Sequence, residues 1–512
     1  MHENDLILKL KQDSHEIIIY GAGMVGSLVF YRLLAENIPK ERIVFTVSSK
    51  NQGNMSYLGQ TVYSINEVLV HFNNVHIIVA VLPNAHKEII NTLYAHKIFD
   101  FDIVDNILLD EMEKSYVNKH YAEHPIANTT KDILFLASDN NSTSGAFLCM
   151  IDLNRELNKR KISTLVVLPT YGSGEELLRE NNIEYTYILS KNWLIESACT
   201  TLPDLSENDT AVNEICRLIR QYNVKLIHNN TTYTYVGAIA AQKENKPVVW
   251  HLREYIKEQG FKFIDEKKSI QLINDSSAIV VVSDYIRSSY RNLHNSIVHK
   301  IYDGIDIAAY YYKDHELMHE KKVKILMPGM IIPLKGQMQL LNAAAILKKH
   351  GYCDFEIVFV GNSDPNYAQQ LKDFIKESSL EDYITFYGRS NKMLEWYSWA
   401  DITIICSKAE AFGRVSVEAQ LAGCLVIGSD KGANLEIIED AKTGFIYQYG
   451  DSNDLALKII RAINNKDMSR KIARAGQINA RESFSQERNV SEIIKMYKHI
   501  LETQKIEGFL AP

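Results

Sequence analysis

Residues 400–423 read ADITIICSKAEAFGRVSVEAQLAG. The first seven, Ala400 to Cys406, are apolar and β-branched, as in a buried strand. Phe412 and Gly413 make a turn that opens a helix, so the unit is strand, loop, helix. The amides around Gly413 to Ser416 then lack intrahelical partners and lie at the positive end of the helix dipole, a place that suits a diphosphate. Glu410 precedes the helix and Glu418 lies in its second turn, with seven residues between them. Carboxylates beside a phosphate are unfavourable unless they accept hydrogen bonds, and sugar and ribose hydroxyls are suitable donors. On the bland reading Glu410 is a loop charge and Glu418 a solvated helix residue; the rest of the chain argues against it.

The same alternation of short apolar runs and helix-period sequence fills the chain and predicts an α/β fold with parallel sheets. At 512 residues the chain exceeds one core and fits three domains. The predicted division is 1–125, 131–307 and 308–512, with a polar connection before the second and a charged hinge, AAYYYKDHELMHEKKVK, at the start of the third. Ligands of open parallel sheets bind beyond the carboxyl ends of the strands. The candidate residues fall there. In the last block these are Lys335 in GMIIPLKGQ, Gly361 in VFVGN, and Gly388 with Arg389 in TFYGRS. In the middle block they are the small-residue loop Ser144, Gly145 and Ala146, His251 in KPVVWHLRE, and His228 and Asn230 in KLIHNN. A histidine at a strand's end is expected to face the cleft, with Arg253 and Glu254 pairing together or lining the same cleft.

From about Lys131 to about Gln504 the chain resembles the retaining glycosyltransferases of family 4, which have the GT-B fold of two facing Rossmann-like domains. The ordered motifs carry the resemblance, together with GCLVIGSDKGANLEIIEDAKTGFIY, its turn at Gly432 and Glu436. It implies that Glu410 contacts the transferred sugar and Glu418 the nucleotide ribose, while Gly413, Val415 and Ser416 present amides to the phosphates. Lys335 would pair with the donor diphosphate and offset charge on the leaving group, work a metal does elsewhere. His251 would contact the sugar near the reacting centre, Gly145 the donor phosphate and acceptor, and Gly361, Gly388 and Arg389 the nucleobase. The last helix would cross back to the middle domain. The family's usual arginine after the glycine is Met330 here, and Arg414 is the candidate substitute. The implied activity is hexosyl or N-acetylhexosaminyl transfer, retaining and without a required metal or other cofactor. The donor is a UDP-sugar ahead of a GDP-sugar, and the acceptor a bacterial surface glycan, teichoic-acid-like polymer or glycoprotein glycan of the cell envelope. A carboxylate pair also invites a hydrolase reading; both glutamates are better used on hydroxyls, and front-face attack needs no protein nucleophile.

The N-terminal IIIYGAGMVGSLVF has the dinucleotide fingerprint at Gly21, Gly23 and Gly26. The acid expected about 20 positions on is replaced by Ser48, Ser49 and Lys50. This block resembles small Rossmann-like modules attached to bacterial surface-polysaccharide enzymes, with a structural or regulatory role ahead of a bound nucleotide. Two other readings stand beside transfer: an NAD(P)-dependent oxidoreductase or epimerase using GAGMVG, and a noncatalytic assembly subunit, for which Met330 is the hint.

The net charge of −7 argues against a nucleic-acid partner. No apolar run reaches the length of a membrane span, and the N-terminus lacks a signal-peptide core, so a cytoplasmic protein is expected. Peripheral contact with the inner membrane face and homo-oligomerisation are both compatible with this surface. Six cysteines without paired spacing read as reduced and mostly buried, not as a disulfide or metal framework.

Overall fold

The computed structural model describes residues 2–506 except 13, 49–54, 73, 124, 125, 128, 291 and 314. Three sheets follow one another along the chain. The first runs, in spatial order, Met55–Tyr57, Gln60–Ser64, Ile43–Val47, Glu16–Tyr20, Val75–Val79, Asp102–Ile103, parallel except at the Met55–Tyr57 edge. The second is all parallel: Val298–Lys300, Ala278–Val281, Val248–Leu252, Leu226–Asn229, Ile133–Leu136, Thr164–Leu168, Tyr185–Tyr187. The third is also all parallel: Ile384–Gly388, Phe355–Val360, Val323–Pro328, Ile402–Ile405, Leu425–Ser429, Phe445–Tyr447. Helices cover both faces, which is why strands such as Ile133–Leu136 and Ile402–Ile405 are buried at every position instead of alternating.

In each sheet the chain winds outward from an interior strand and then jumps back to the other side of it. A crevice is left where the direction switches. It lies beyond Glu16–Tyr20 and Val75–Val79 in the first sheet, and beyond Ile133–Leu136 and Leu226–Asn229 in the second. In the third it lies beyond Val323–Pro328 and Ile402–Ile405.

The second and third units meet across their crevices. The Glu436 carboxylate accepts the amides of Asp284 and Tyr285 at 3.0 and 3.1 Å and the Tyr302 hydroxyl at 3.0 Å. Ser283 Oγ donates to the Ala411 carbonyl. The helix Gln486–Thr503 leaves the third unit and buries Val490, Ile493, Tyr497 and Ile500 among Phe135, Val166 and Val249 of the second. On the other side, the helix Asn106–Glu123 fastens the first sheet to the second. Its Glu113 carboxylate accepts the Tyr171 amide at 2.6 Å, and the Tyr171 hydroxyl reaches Ser27 Oγ at 3.1 Å. No helix among the described residues is long and apolar enough to cross a membrane.

Candidate active site

Lys335 and Glu410 meet because two switch-point loops of the third sheet lie side by side. After Val323–Pro328 the chain forms a short turn, Pro333–Lys335, ended by Gly336 at φ +76°. A Cβ on Gly336 would sit 2.4 Å from the Cys406 carbonyl oxygen, so only glycine lets this loop rest on the end of the next strand. The Lys408 amide completes the seam by donating to the Leu334 carbonyl at 3.0 Å. Lys335 Nζ then donates to Glu410 Oε1 at 2.6 Å, and Ser407 Oγ donates to the same oxygen at 2.6 Å. Behind Glu410 stands Gly432 at φ +63°, where a Cβ would come within 2.3 Å of the Glu410 nitrogen. The Ala433 amide donates to the Glu410 carbonyl at 2.9 Å. From the middle unit Tyr255 faces this carboxylate; burial, and then Glu410, push its phenol up.

The helix Arg414–Leu421 begins at Gly413, beside Glu410. Two expectations about it need restating. The Ser416 amide is already bonded to the Gly413 carbonyl at 2.9 Å, which leaves Gly413, Arg414 and Val415 as the amides of the opening turn. Arg414, the candidate substitute for the family's usual arginine, is engaged elsewhere. Its guanidinium crosses to the middle unit, donating to Cys149 Sγ at 3.2 Å and lying 3.5 Å from Asp152 Oδ2. Glu418, one turn further along the helix, accepts from Tyr397 at 3.0 Å through Oε2, and its Oε1 lies 3.5 Å from Arg414 Nε. The structure thus joins Lys335 to Glu410 directly and groups Glu418, on the helix that follows, with Tyr397 and Arg414. Burial pushes the Cys149 thiol up to about 12, so it is no thiolate nucleophile.

His251 is the fourth residue of Val248–Leu252, not a residue beyond the strand, and it is fully buried. Its Nδ1 lies 3.2 Å from His228 Nε2, and its Nε2, 3.9 Å from Asp303 Oδ1, has no hydrogen-bond partner among the described residues. Arg253 and Glu254 do not pair with each other through their side chains. The Arg253 guanidinium binds Asp303 at 2.9 and 3.2 Å and the Asn230 side-chain oxygen at 2.6 Å. Glu254 accepts from the Thr232 hydroxyl at 2.5 Å and the Thr232 amide at 3.0 Å. Asn230 also ties the Ala146 carbonyl at 3.1 Å, next to Ser144, which caps the helix Gly145–Lys159. A Cβ on Gly145 would meet nothing within 4 Å, so its outer side is open.

Burial, and secondarily Arg253, hold both imidazoles well below the ordinary value of 6.5. They stay neutral in the fold, whereas an unfolded chain protonates them below that pH. The unfolded state then binds more protons, so stability falls as pH drops, by about 1.4 kcal/mol per pH unit for each imidazole. Denaturant midpoints measured at about pH 7.5 and 5.5, on either side of the free imidazole range, are expected to fall less in His228→Gln than in the unaltered chain.

The remaining candidates sit around the third sheet's carboxyl edge. The Gly361 amide donates to the Gly388 carbonyl at 2.8 Å, and a Cβ on Gly361 would lie 2.0 Å from the Gly329 oxygen, so three loops converge there. Arg389 is exposed, as is Met330 at 55%. In the first sheet Gly26 packs its helix against Gly21, where a Cβ would be 1.9 Å from the Gly21 oxygen. Ser48 is held by Tyr20 at 2.9 Å; Ser49 and Lys50 lie outside the described residues.

Sequence reading missed Asp303, Asp152, Tyr397 and Tyr497. Asp303 carries a weak signal, an acid before glycine in IYDGID at the end of the middle block. The others are helix residues: Asp152 and Tyr497 act across to a neighbouring unit, and Tyr397 acts on another helix of its own unit.

The family model described as Glycosyltransferase Family 4 matches residues 143–309, and the one described as Glycosyl transferases group 1 matches 312–479. Among curated relatives, the N-acetyl-alpha-D-glucosaminyl L-malate synthase of Bacillus anthracis is 23% identical over 242 residues, 46% of this chain and 62% of its own length. The putative glycosyltransferase EpsD of Bacillus subtilis is 22% identical over 315 residues, 57% of this chain and 81% of its own. Among solved structures, Anabaena Alr3699/HepE in complex with UDP and glucose superposes with a TM-score of 0.61 at 24% identity, over 74% of this chain and 100% of its own.

Proposed function

Because the chain belongs to the group 1 glycosyltransferases of family 4 and has their GT-B fold, we propose that it transfers a sugar from a nucleotide-sugar, a UDP-sugar foremost, to a glycan hydroxyl. The observation that carries this reading is the Lys335–Glu410 contact of 2.6 Å, formed at the switch point of the third sheet and beside the helix that starts after Gly413. In the free chain the ammonium and carboxylate satisfy each other. A donor diphosphate competes for Lys335 and for the amides at Gly413 and Val415, and the released Glu410 carboxylate accepts hydrogen bonds from sugar hydroxyls. Glu418, steadied by Tyr397 and Arg414, keeps free lone pairs for the ribose hydroxyls. Gly361, Gly388 and Arg389 frame the base.

The acceptor oxygen attacks the anomeric carbon on the face the leaving group occupies. The bond from that carbon to the phosphate oxygen breaks, its electron pair leaves with the nucleoside diphosphate, and the acceptor proton passes to a phosphate oxygen. Configuration is retained without a protein nucleophile. Lys335 supplies the fixed positive charge that offsets the developing diphosphate, so no metal is required by this scheme. His251, with Nε2 unpartnered, is the hydrogen-bonding group on the middle unit's side. The acceptor class we favour is a bacterial surface glycan or polymer, on the strength of the fused N-terminal module.

Turnover of a panel of UDP- and GDP-sugars against glycan acceptors tests the reading, with the anomeric configuration of the product read by NMR. Release of UDP with an α-linked product from an α-donor is expected. An inverted product refutes the front-face step, and binding of nucleotide-sugar with no transfer to any acceptor favours the noncatalytic alternative.

A further inference from the structure

Three buried side chains from two units form a line that ends at His251. Tyr497, on the helix Gln486–Thr503, has its hydroxyl 2.5 Å from His228 Nδ1. His228 Nε2 faces His251 Nδ1 at 3.2 Å, and the opposite nitrogen of His251 has no partner among the described residues. All three residues are fully buried, and Phe135 stacks on the His228 ring with centroids 4.7 Å apart.

A neutral imidazole carries one N–H and one lone pair. Where two such rings meet nitrogen to nitrogen, one must donate and the other accept, so their tautomers are coupled. Only two arrangements exist. In the first, Tyr497 donates to His228 Nδ1, His228 Nε2–H donates to His251 Nδ1, and His251 carries its proton on Nε2. In the second every bond reverses and His251 Nε2 presents a lone pair. Asp303, fixed by Arg253, lies 3.9 Å from that Nε2. A lone pair facing a carboxylate is repelled, whereas an N–H is attracted. The Tyr497 phenol, held well above its ordinary value by burial, keeps its proton and has His228 Nδ1 in front of it to receive the hydrogen bond. Both ends of the line therefore select the first arrangement.

We propose that Tyr497 and His228 are positioning residues that fix the proton of His251 on Nε2, making that nitrogen a permanent hydrogen-bond donor to a sugar or acceptor oxygen. The inference rests on the reading of His251 as a group of the transfer site. It gives the helix Gln486–Thr503 a chemical task as well as a packing one, because its seating on the middle sheet brings the terminal hydroxyl of the line.

The test uses the full chain with ¹⁵N-labelled histidine. Long-range ¹H–¹⁵N correlation reports which ring nitrogen is protonated, and His251→Gln assigns the signals. Unaltered protein is expected to show His251 protonated on Nε2 and bare on Nδ1. Tyr497→Phe, which removes only the hydroxyl, is expected to place part of the His251 population in the other tautomer. It should lower kcat about tenfold with the donor KM little changed, as loss of one oriented donor implies. Protonation of His251 on Nδ1 in the unaltered chain overturns the proposal, as do tautomers unchanged in both Tyr497→Phe and His228→Gln. The spectra need no turnover. The expected tautomers in a chain that transfers no sugar would support the line and sink the functional reading, and active enzyme with the opposite tautomer would do the reverse.

Discussion

Lys335→Met is expected to lower kcat/KM for the nucleotide-sugar by about 10²–10³, the usual cost of losing one preorganised charge at a site where negative charge develops. The ammonium is poised by its 2.6 Å contact with Glu410, and both side chains are mostly shielded, at 26% and 16% exposure. Removing it takes away the counter-charge of the leaving diphosphate and leaves the Glu410 carboxylate facing that diphosphate uncompensated. The second effect gives the prediction its signature. In Lys335→Met/Glu410→Gln the repulsion is gone, so the double variant is expected to lose less than the two single losses combined, with a coupling of about 0.5–3 kcal/mol. Initial rates for the four proteins check it. Strict additivity would mean that the two side chains do not act on one ligand.

Asp303→Ala is expected to destabilise the chain by about 3–5 kcal/mol, because it strips the partner from a buried guanidinium. Arg253 is 7% exposed and holds Asp303 through Nε and Nη2 at 3.2 and 2.9 Å. Its remaining bonds, to the Asn230 carbonyl and side chain at 2.8 and 2.6 Å, are to neutral oxygens and do not balance the charge. Asp303→Ala/Arg253→Met removes the charge as well as its partner and is expected to recover part of the loss. Urea midpoints of the three proteins measure this. A double variant less stable than Asp303→Ala would show that Arg253 acts chiefly by packing.

The fold was legible because many of the parallel strands are short, largely apolar runs such as ILFL or ITII, with a loop residue of distinctive chemistry just after them. That pattern located Lys335, Glu410 and Gly413, which depend on their own strand ends, and Gly432, which supports Glu410 from the next loop. It failed where a side chain is claimed by another unit. Arg414 and Glu418 are one helical turn apart, and periodicity places both near the helix start, yet the Arg414 guanidinium is held by Asp152 and Cys149 of the middle unit. His251, read as standing just past its strand and so facing the cleft, is a buried residue within Val248–Leu252, and Asp303, Asn230 and Thr232 hold the Arg253 and Glu254 side chains that follow it. The Tyr497 contact spans 269 residues, a separation that no local pattern encodes.

A crystal structure of the chain with UDP tests the central claim most directly. The account predicts the β-phosphate within hydrogen-bond distance of Lys335 Nζ and of the amides at Gly413 or Val415, with the ribose turned toward Glu418. UDP bound instead at the loop Gly21–Gly26 of the first sheet, with the Lys335–Glu410 contact undisturbed, would contradict it.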